Sequence, residues 1–152
     1  MGAVEGAFLI MAEKLEGKKL KMSQIFEDSG LVRSGIYILI SSDWSEALDS
    51  ATSLKLSGWS KGRGFAGVVK KYHFAGGPAT HGQSDRERHR GSSGQTTTPG
   101  RVYPGKRMAG RMGGTKVTLK NAPILLKNKE KKQVFVGVPV PGAFGSKVIL
   151  YV

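Results

Sequence analysis

Residues 61–116 read KGRGFAGVVKKYHFAGGPATHGQSDRERHRGSSGQTTTPGRVYPGKRMAGRMGGTK and divide the chain into two flanks. This stretch holds 12 Lys or Arg residues against two acids, a net charge of +10, and 13 of the chain's 22 glycines. Like charges at this density repel one another, and glycine loses more backbone entropy on ordering than any other residue. We therefore expect an irregular extension that is disordered until a polyanion neutralises it, and RNA is the first candidate.

The two flanks contribute little to the net charge of +13 that the 152-residue chain carries. Residues 1–60 have a net charge of −2 and residues 117–152 a net charge of +5. The chain length suits one domain, whose core must be assembled from both flanks. The absence of cysteine excludes disulfides, cysteine–zinc sites and thiol catalysis, and fits a reducing compartment. An apolar run at residues 7–12 is too short to span a membrane, so we expect no membrane partner.

The flanks contain short segments that are typical of β-strands. Residues 20–26 and 31–40 predict a hairpin around an acidic turn, and Asp43 with Glu46 predicts an N-capped helix through about residue 51. Further strands are predicted in the flanks at residues 54–56, 117–119, 124–126, 133–138 and 147–152, and a strand end is predicted in the extension at residues 68–69. Short strands at this spacing predict a mainly β fold, either a small barrel or a sandwich.

A glycine motif at the start of the extension suggests one alternative function. Residues 62–67 match the GxGxxG pattern of dinucleotide-binding sites, which requires a helix after the third glycine within a βαβ unit. Here the following residues, 68–72, are basic and β-like. A nucleotide-binding enzyme that uses residues 62–67 is therefore the weaker interpretation, and close approach of a glycine backbone to phosphates is the favoured one.

The histidines and acids of the extension do not form a convincing catalytic or metal site. His73, His81 and His89 recur every eight residues but lack the rigid scaffold and supporting hydrogen bonds that a metal site needs. Asp85 and Glu87 stand among arginines, which favours local salt bridges or spacing of the arginines over acid–base catalysis. We therefore expect no metal, no cofactor, no small-molecule substrate and no enzymatic activity.

The basic residues of the extension are the best candidates for a binding site. A solvated surface normally mixes both signs of charge, whereas acids are nearly absent here. Arginine outnumbers lysine within residues 86–111, and arginine makes bidentate phosphate contacts and stacks on bases. The candidate RNA-binding residues are Lys61, Arg63, Lys70, Lys71, His81, Arg86, Arg88, His89, Arg90, Arg101, Lys106, Arg107 and Arg111.

Aromatic residues are interleaved with these cations. They are Phe65, Tyr72, Phe74 and Tyr103. Such rings can stack on unpaired bases, although Phe65 equally fits a minor hydrophobic cluster at the base of the extension. Trp44 and Trp59 are expected to pack in the core or at a hinge.

Five runs of the sequence are distinctive in their order and length. They are GKKLKMSQIF, KGRGFAGVVKKYHFAGGPATHG, SSGQTTTPGRVYPGKRMAGRMGG, VTLKNAPILL and PVPGAFGSKVIL. Together they cover most of residues 17–152, and the central match is long and ungapped. The sequence resembles, over these runs, the bacterial-type L three family (universal uL three) of large-subunit ribosomal proteins.

The resemblance implies both a fold and a function. The fold would be one domain over residues 1–152: a small, closed, six-stranded β-barrel of the translation-protein type, with strands from 17–60 and 117–152 and an RNA-penetrating extension at 61–116. The function would be that of a structural constituent of the large ribosomal subunit. The extension would bind ribosomal RNA, reach toward the peptidyl transferase centre and support subunit assembly beside neighbouring large-subunit proteins. The location would be the cytoplasmic ribosome, with an organelle matrix left open.

The same resemblance marks one modification site and three departures. Gln95 lies where some bacterial relatives carry a methylated glutamine and is the candidate position for that modification. Lys21 stands where the family usually has glycine, and residues 1–16 have no clear counterpart. The stretch between residues 40 and 54 is shortened, so we expect a barrel that lacks part of one wall or is covered there by another ribosomal component. A non-ribosomal RNA chaperone that uses the same extension is the remaining alternative.

Overall fold

The structure, a computed structural model, describes residues 13–152, so the apolar run at residues 7–12 lies outside the described part. Its strands are β1 (Lys14–Phe26), β2 (Val32–Ile40), β3 (Ser53–Trp59), β4 (Phe65–Ala66), β5 (Gly110–Arg111), β6 (Lys116–Asn128), β7 (Gln133–Val136) and β8 (Lys147–Tyr151). Its helices are α1 (Glu46–Ser50) and α2 (Val68–Tyr72). The short segments predicted in the flanks are therefore mostly strands, as expected.

Six strands form a closed barrel in the order β1-β2-β7-β6-β3-β8, with β8 pairing again with β1. Every neighbouring pair is antiparallel. The prediction of a small closed six-stranded barrel is confirmed. The expectation of an incomplete wall is wrong, because the short connection after β2 leads through α1 into β3, and β3 pairs with both β6 and β8.

Strand β6 runs without interruption through two segments predicted to be separate strands. Between Leu119 and Ala122 it advances by one residue more than its partner β3, which is a one-residue β-bulge. Asn121 adopts a left-handed conformation there, with φ of 55°. A bulge bends the strand and increases its twist, so a strand of 13 residues can follow the curved wall.

Strand β1 carries a similar irregularity between Lys19 and Met22, opposite β2. Lys21, which replaces the glycine usual in the family, lies in this bulge. Because its φ is not in the positive region, the backbone there does not require glycine. The bulge allows β1 to pair with β8 at its first half and with β2 along most of its length.

The barrel interior is filled by aliphatic side chains that alternate along the strands, as the period of two requires. They include Leu15, Ile36, Ile38, Ile40, Leu54, Leu56, Ala122, Val134, Val136, Val148 and Leu150. Leu48 of α1 belongs to the same cluster and is fully buried. Burial of each Leu or Ile side chain contributes about 1.5–3 kcal/mol, so this cluster is the main source of barrel stability.

Helix α1 is capped by a different residue from the one predicted. Ser45, not Asp43, is the N-cap, and its hydroxyl accepts a hydrogen bond of 3.2 Å from the Ala47 N–H. The Ser45 hydroxyl also donates to the Glu13 carboxylate. Asp43 instead lies 3.8 Å from the Lys132 ammonium, so the acid that resembled a cap takes part in an exposed ion pair.

The chain divides into two compact units. The barrel, with residues 13–61 and 115–152, forms one unit, and residues 62–114 form the other. Both helices are only five residues long, and no helix within residues 13–152 is long and apolar enough to cross a bilayer.

Candidate nucleic-acid interface

The two ends of the extension are joined by a short ladder, which we call the stem (residues 62–74 and 106–114). Strands β4 and β5 pair with Phe65 opposite Arg111 and Ala66 opposite Gly110. The ladder continues where the Arg63 N–H donates to the Met112 carbonyl and the Met112 N–H donates to the Gly64 carbonyl, both at 2.9 Å. Residues 75–105, which we call the distal loop, connect the two sides of the stem.

Helix α2 occupies the position where a strand end was predicted, so that prediction is wrong. It is a single turn in which the Lys71 N–H donates to the Gly67 carbonyl and the His73 N–H donates to the Val69 carbonyl, each at 2.9 Å. His73 ends the turn in a left-handed conformation with φ of 59°. The preference of valine for strands depends on its surroundings. Here the burial of Val68 and the C-cap at His73 favour a helical turn over a strand.

A helix thus follows the GxGxxG motif, contrary to the sequence prediction, but the arrangement is not that of a dinucleotide site. The strand before it, β4, has two residues and pairs antiparallel with β5. The dinucleotide site needs parallel strands joined by a longer crossover helix. The geometry therefore does not favour the nucleotide-binding enzyme.

Two predicted RNA-binding cations lie beside the ring of Tyr72. The Lys71 ammonium is 5.1 Å and the Arg107 guanidinium 5.6 Å from the ring centroid. The Phe74 ring is 6.3 Å away from the same ring. The contact of Arg107 with Tyr72 connects the outgoing and returning segments of the stem.

The candidate cations are accessible. Lys71 and Arg90 are half-buried, and the other eleven candidate residues are exposed. Arg90 donates to the Ser93 hydroxyl, and the His89 Nδ1 accepts a hydrogen bond of 3.2 Å from the Gly91 N–H. Lys70 lies in α2, Arg111 in β5 and Arg63 in the stem ladder, whereas the cations of residues 75–105 lie in turns and irregular segments.

The ion pairs of the described residues lie entirely in the barrel unit. They are Arg33–Glu27, Lys129–Asp49, Lys132–Asp43 and Lys147–Glu16. Between residues 62 and 114 no Lys or Arg has a carboxylate of the described chain within 4.0 Å. The expected local salt bridges of Asp85 and Glu87 do not form, because exposed arginines gain little from ordering against them. The positive charge of the extension is consequently not neutralised within residues 13–152.

Histidines of the extension do not assemble with acids. Across the part of the chain that the structure describes, no group of three or more His, Asp and Glu side chains is arranged to hold a metal ion. His81 and His89 are exposed, which leaves both rings available to a phosphate or a base. Gln95 is exposed as well.

Exposed aromatic side chains accompany the cations. Phe65 is 77% exposed and Tyr103 60% exposed, so Phe65 does not form the hydrophobic cluster that was considered. Trp44 packs against the core as expected and donates from its indole N–H to Asp49 at 2.8 Å. Trp59 is 60% exposed, contrary to the expectation of packing. Strand parity signals this, because Trp59 lies an odd number of residues from the inward-facing Leu54 and Leu56.

Comparison with known proteins identifies the same family that the sequence resembles. A family model described as ribosomal protein L3 matches residues 42–136. The large ribosomal subunit protein uL3 of Dehalococcoides mccartyi is 55% identical over 94 residues, which cover 62% of this chain and 46% of that protein. The uL3 of Borreliella afzelii is 44% identical over 105 residues, which cover 69% of this chain and 50% of that protein.

A further uL3 protein, from Herpetosiphon aurantiacus, is 55% identical over 93 residues, 61% of this chain and 44% of that protein. The chain therefore spans about half the length of the curated relatives it matches. The family match covers more than half of the chain, including the whole extension and strands of the barrel. By this match, and by the closed barrel interrupted by a cationic extension, the chain belongs to the ribosomal protein L3 family.

Proposed function

We propose that this chain is a structural constituent of the large ribosomal subunit and binds ribosomal RNA through residues 61–116. The relatives that match this chain are large ribosomal subunit proteins by name. The proposal assigns the chain a role in RNA packing rather than catalysis, without metal, cofactor or small-molecule substrate.

The observation that carries the proposal is the separation of paired and unpaired charge. The ion pairs among residues 13–152 are in the barrel unit, whereas the extension's arginines and lysines have no carboxylate within bonding distance there. Phosphates can supply the missing negative charge, and each contact releases a condensed counterion from the RNA. The extension then gains the compensating charge that its own sequence does not supply.

The backbone of the extension suits close approach to RNA. Gly64 and Gly114 have left-handed φ values of 68° and 64°, and an added Cβ at either residue would meet nothing within 4 Å. These residues are glycine because the turn conformation requires it, not because a neighbour within residues 13–152 excludes a side chain. The open space beside them lets an RNA backbone approach the peptide groups directly.

The finer parts of the proposal follow from family membership. We propose that the distal loop reaches toward the peptidyl transferase centre, that the barrel contacts neighbouring large-subunit proteins, and that binding supports subunit assembly in the cytoplasmic ribosome. Gln95, exposed in the distal loop, is the proposed position of glutamine methylation.

Sedimentation of the tagged chain tests the proposal. We expect it to cofractionate with large subunits at moderate salt and to cross-link to ribosomal RNA from residues 62–114. The triple variant Arg86→Gln, Arg88→Gln, Arg90→Gln should lose most of this association. Neutralising three barrel lysines in the β6–β7 turn (Lys129→Gln, Lys131→Gln, Lys132→Gln) removes the same charge and should retain it. A free pool of the wild-type chain bound to other RNAs would instead indicate an RNA chaperone.

A further inference from the structure

An open cleft of about 470 Å³ lies within the distal part of the extension, between residues 74–77 and 86–91. Phe74 lines one side, and Arg86, His89 and Arg90 line the other. Neither Asp85 nor Glu87 lines the cleft with its side chain. The volume is within the range of small-ligand sites, and an aromatic ring facing several donors is chemically distinct from a uniformly basic surface.

The cleft is built by a close backbone approach that only glycine permits. The Gly77 N–H donates to the Glu87 carbonyl at 2.7 Å and holds the two segments together. A Cβ on Gly76 would overlap the same carbonyl oxygen, and Gly76 also has a left-handed φ of 78°. A Cβ on Gly77 would lie 2.9 Å from the Arg86 carbonyl oxygen. The shape of the cleft therefore depends on these two glycines.

The donors of the cleft are oriented by local hydrogen bonds. Because the His89 Nδ1 accepts from the Gly91 N–H, the neutral ring carries its own N–H at Nε2, which is left free to donate. Arg90 is half-buried and held by the Ser93 hydroxyl, so its guanidinium is partly ordered before a ligand arrives. Arg86 is exposed and has no carboxylate partner among residues 13–152.

We propose that this cleft binds one unstacked nucleotide of a structured RNA, with its base on the Phe74 ring and its phosphate on Arg86 and Arg90. Bases splayed out of a helix are recognised by stacking on aromatic rings and by hydrogen bonds to their edges, for which the His89 Nε2–H is placed. The inference rests on the proposed function, since it assigns a single-nucleotide site within an extension that binds RNA. A free mononucleotide offers the same chemistry, and the experiment separates the two sources.

The test compares three labelled RNA hairpins with the full chain at one salt concentration. One hairpin has a single bulged nucleotide, made with each of the four bases, one has an abasic residue at the bulge, and one is fully paired. We expect the chain to bind a bulged hairpin about tenfold more tightly than the abasic one, the effect of one base–aromatic stack. The 5′-monophosphates of the four nucleosides, added as competitors, should displace the hairpin only weakly.

Two variants and a matched control report on the cleft. Phe74→Leu and Gly76→Ala leave the net charge unchanged and should abolish the preference for the bulge while retaining affinity for the paired hairpin. Gly105→Ala is the control, because Gly105 has the same φ of 78° with nothing within 4 Å, and it should keep the preference. If Gly76→Ala disturbs the local fold, Phe74→Leu alone is sufficient to test the cleft.

The outcomes separate the inference from the proposed function. Equal affinity of the wild-type chain for bulged and abasic hairpins, with RNA binding intact, would overturn the cleft and leave the proposed function standing. Loss of the bulge preference in Gly105→Ala but not in Phe74→Leu would also overturn it. Complete displacement by a free monophosphate without any bulge preference would assign the cleft to free nucleotides. Failure to bind any of the hairpins would overturn both proposals.

Discussion

The Arg107 guanidinium lies 5.6 Å from the centroid of the Tyr72 ring, although a long loop separates the two residues in sequence. The Lys71 ammonium lies 5.1 Å from the same centroid. Tyr72 thus holds the outgoing and returning segments of the stem together beside the β4–β5 ladder. The extension consequently has a connected stem and a distal loop of turns.

Replacing Tyr72 with leucine should loosen the stem while leaving the barrel unchanged. Each cation–π contact at an exposed site contributes about 0.5–1 kcal/mol, so we expect amide exchange at Arg63 and Met112 to rise about fivefold. Tyr72→Phe keeps the ring and should exchange as the wild type does. Hydrogen-exchange mass spectrometry measures both, and an equal rise in the two variants would show that the ring face is not responsible.

The distal loop should exchange rapidly in the free protein. Most of its backbone hydrogen bonds among the described residues close local turns, such as Gln83 to Thr80 and Gly100 to Thr96. Local turns open easily, so we expect amides of residues 78–105 to exchange within seconds and to become slow in the assembled subunit. Gly77, bonded to Glu87, should be slower than its neighbours. Uniform protection in the free protein would show that the loop folds without RNA.

The barrel wall should not tolerate a side chain at Gly35. A Cβ there would overlap the Val136 carbonyl oxygen and lie 2.8 Å from the Phe135 ring, which is fully buried. Overpacking of this kind typically costs 1–3 kcal/mol, and we expect Gly35→Ala to lose about 3 kcal/mol in urea unfolding. Gly62→Ala, with nothing within 4 Å, is the control and should change the midpoint little. Equal stability of Gly35→Ala and the wild type would contradict the observed β2–β7 packing.

The seam between β1 and β8 should be sensitive to acid. The Lys147 ammonium donates to Glu16 at 2.7 Å and holds the pKa of that carboxyl below its ordinary range, with desolvation opposing and Lys14 adding attraction. Because folding lowers this pKa, the stabilisation is present above about pH 4.3, the ordinary glutamate value, and is lost as the pH falls through the folded value.

Glu16→Gln tests this contribution. We expect the variant to be slightly less stable than the wild type at pH 6, and the difference to be smaller at pH 3, where more of the Glu16 carboxyl is protonated. Urea unfolding at the two pH values measures it, with Glu130→Gln in the exposed β6–β7 turn as the control. A difference that stays constant with pH would mean that the ion pair does not carry the effect.

Much of the barrel could be predicted because its strands alternate apolar and polar residues. Ile36, Ile38 and Ile40 all point inward, as the period of two requires. The first part of β1 could not be found in this way, since Gly17 and the lysines after it carry no apolar alternation. Gly17 is needed because a Cβ would lie 2.8 Å from the Ile38 side chain, a contact between strands that the local sequence does not reveal.

The wrong local predictions have related causes. In the sequence, residues around Asn121 and the proline at position 123 indicate the end of a strand. In the structure β6 continues through both residues, because a bulge lets a strand follow a curved wall. Val68 and Val69 favour a strand by propensity, whereas capping and burial decide a single helical turn. Asp43 and Ser45 are both residue types that suit an N-cap. Ser45 also contacts Glu13, which is distant in sequence, so the local sequence does not reveal this contact.

The types of residue in the candidate site could be predicted from the sequence, but which of these residues lie together in space could not. Charge and composition located the cations and aromatics of the extension. The pairing of Tyr72 with Arg107, and of Gly76 and Gly77 with the Glu87 carbonyl, depends on contacts between distant residues. The alternation of side chains along β3 predicts that Trp59 is exposed. This prediction could be made only if β3 was known to extend as far as residue 59.

The salt dependence of RNA binding tests most directly whether the unpaired cations of the extension bind phosphates. If about eight of them contact phosphate, the logarithm of the binding constant should fall against the logarithm of the salt concentration with a slope near −6 to −7, roughly −0.7 to −0.9 per contact. Titrating the full chain with a structured ribosomal RNA fragment over a range of salt concentrations gives this slope. A steep slope in that range is the predicted result, and an affinity that does not change with salt would contradict the proposed interface.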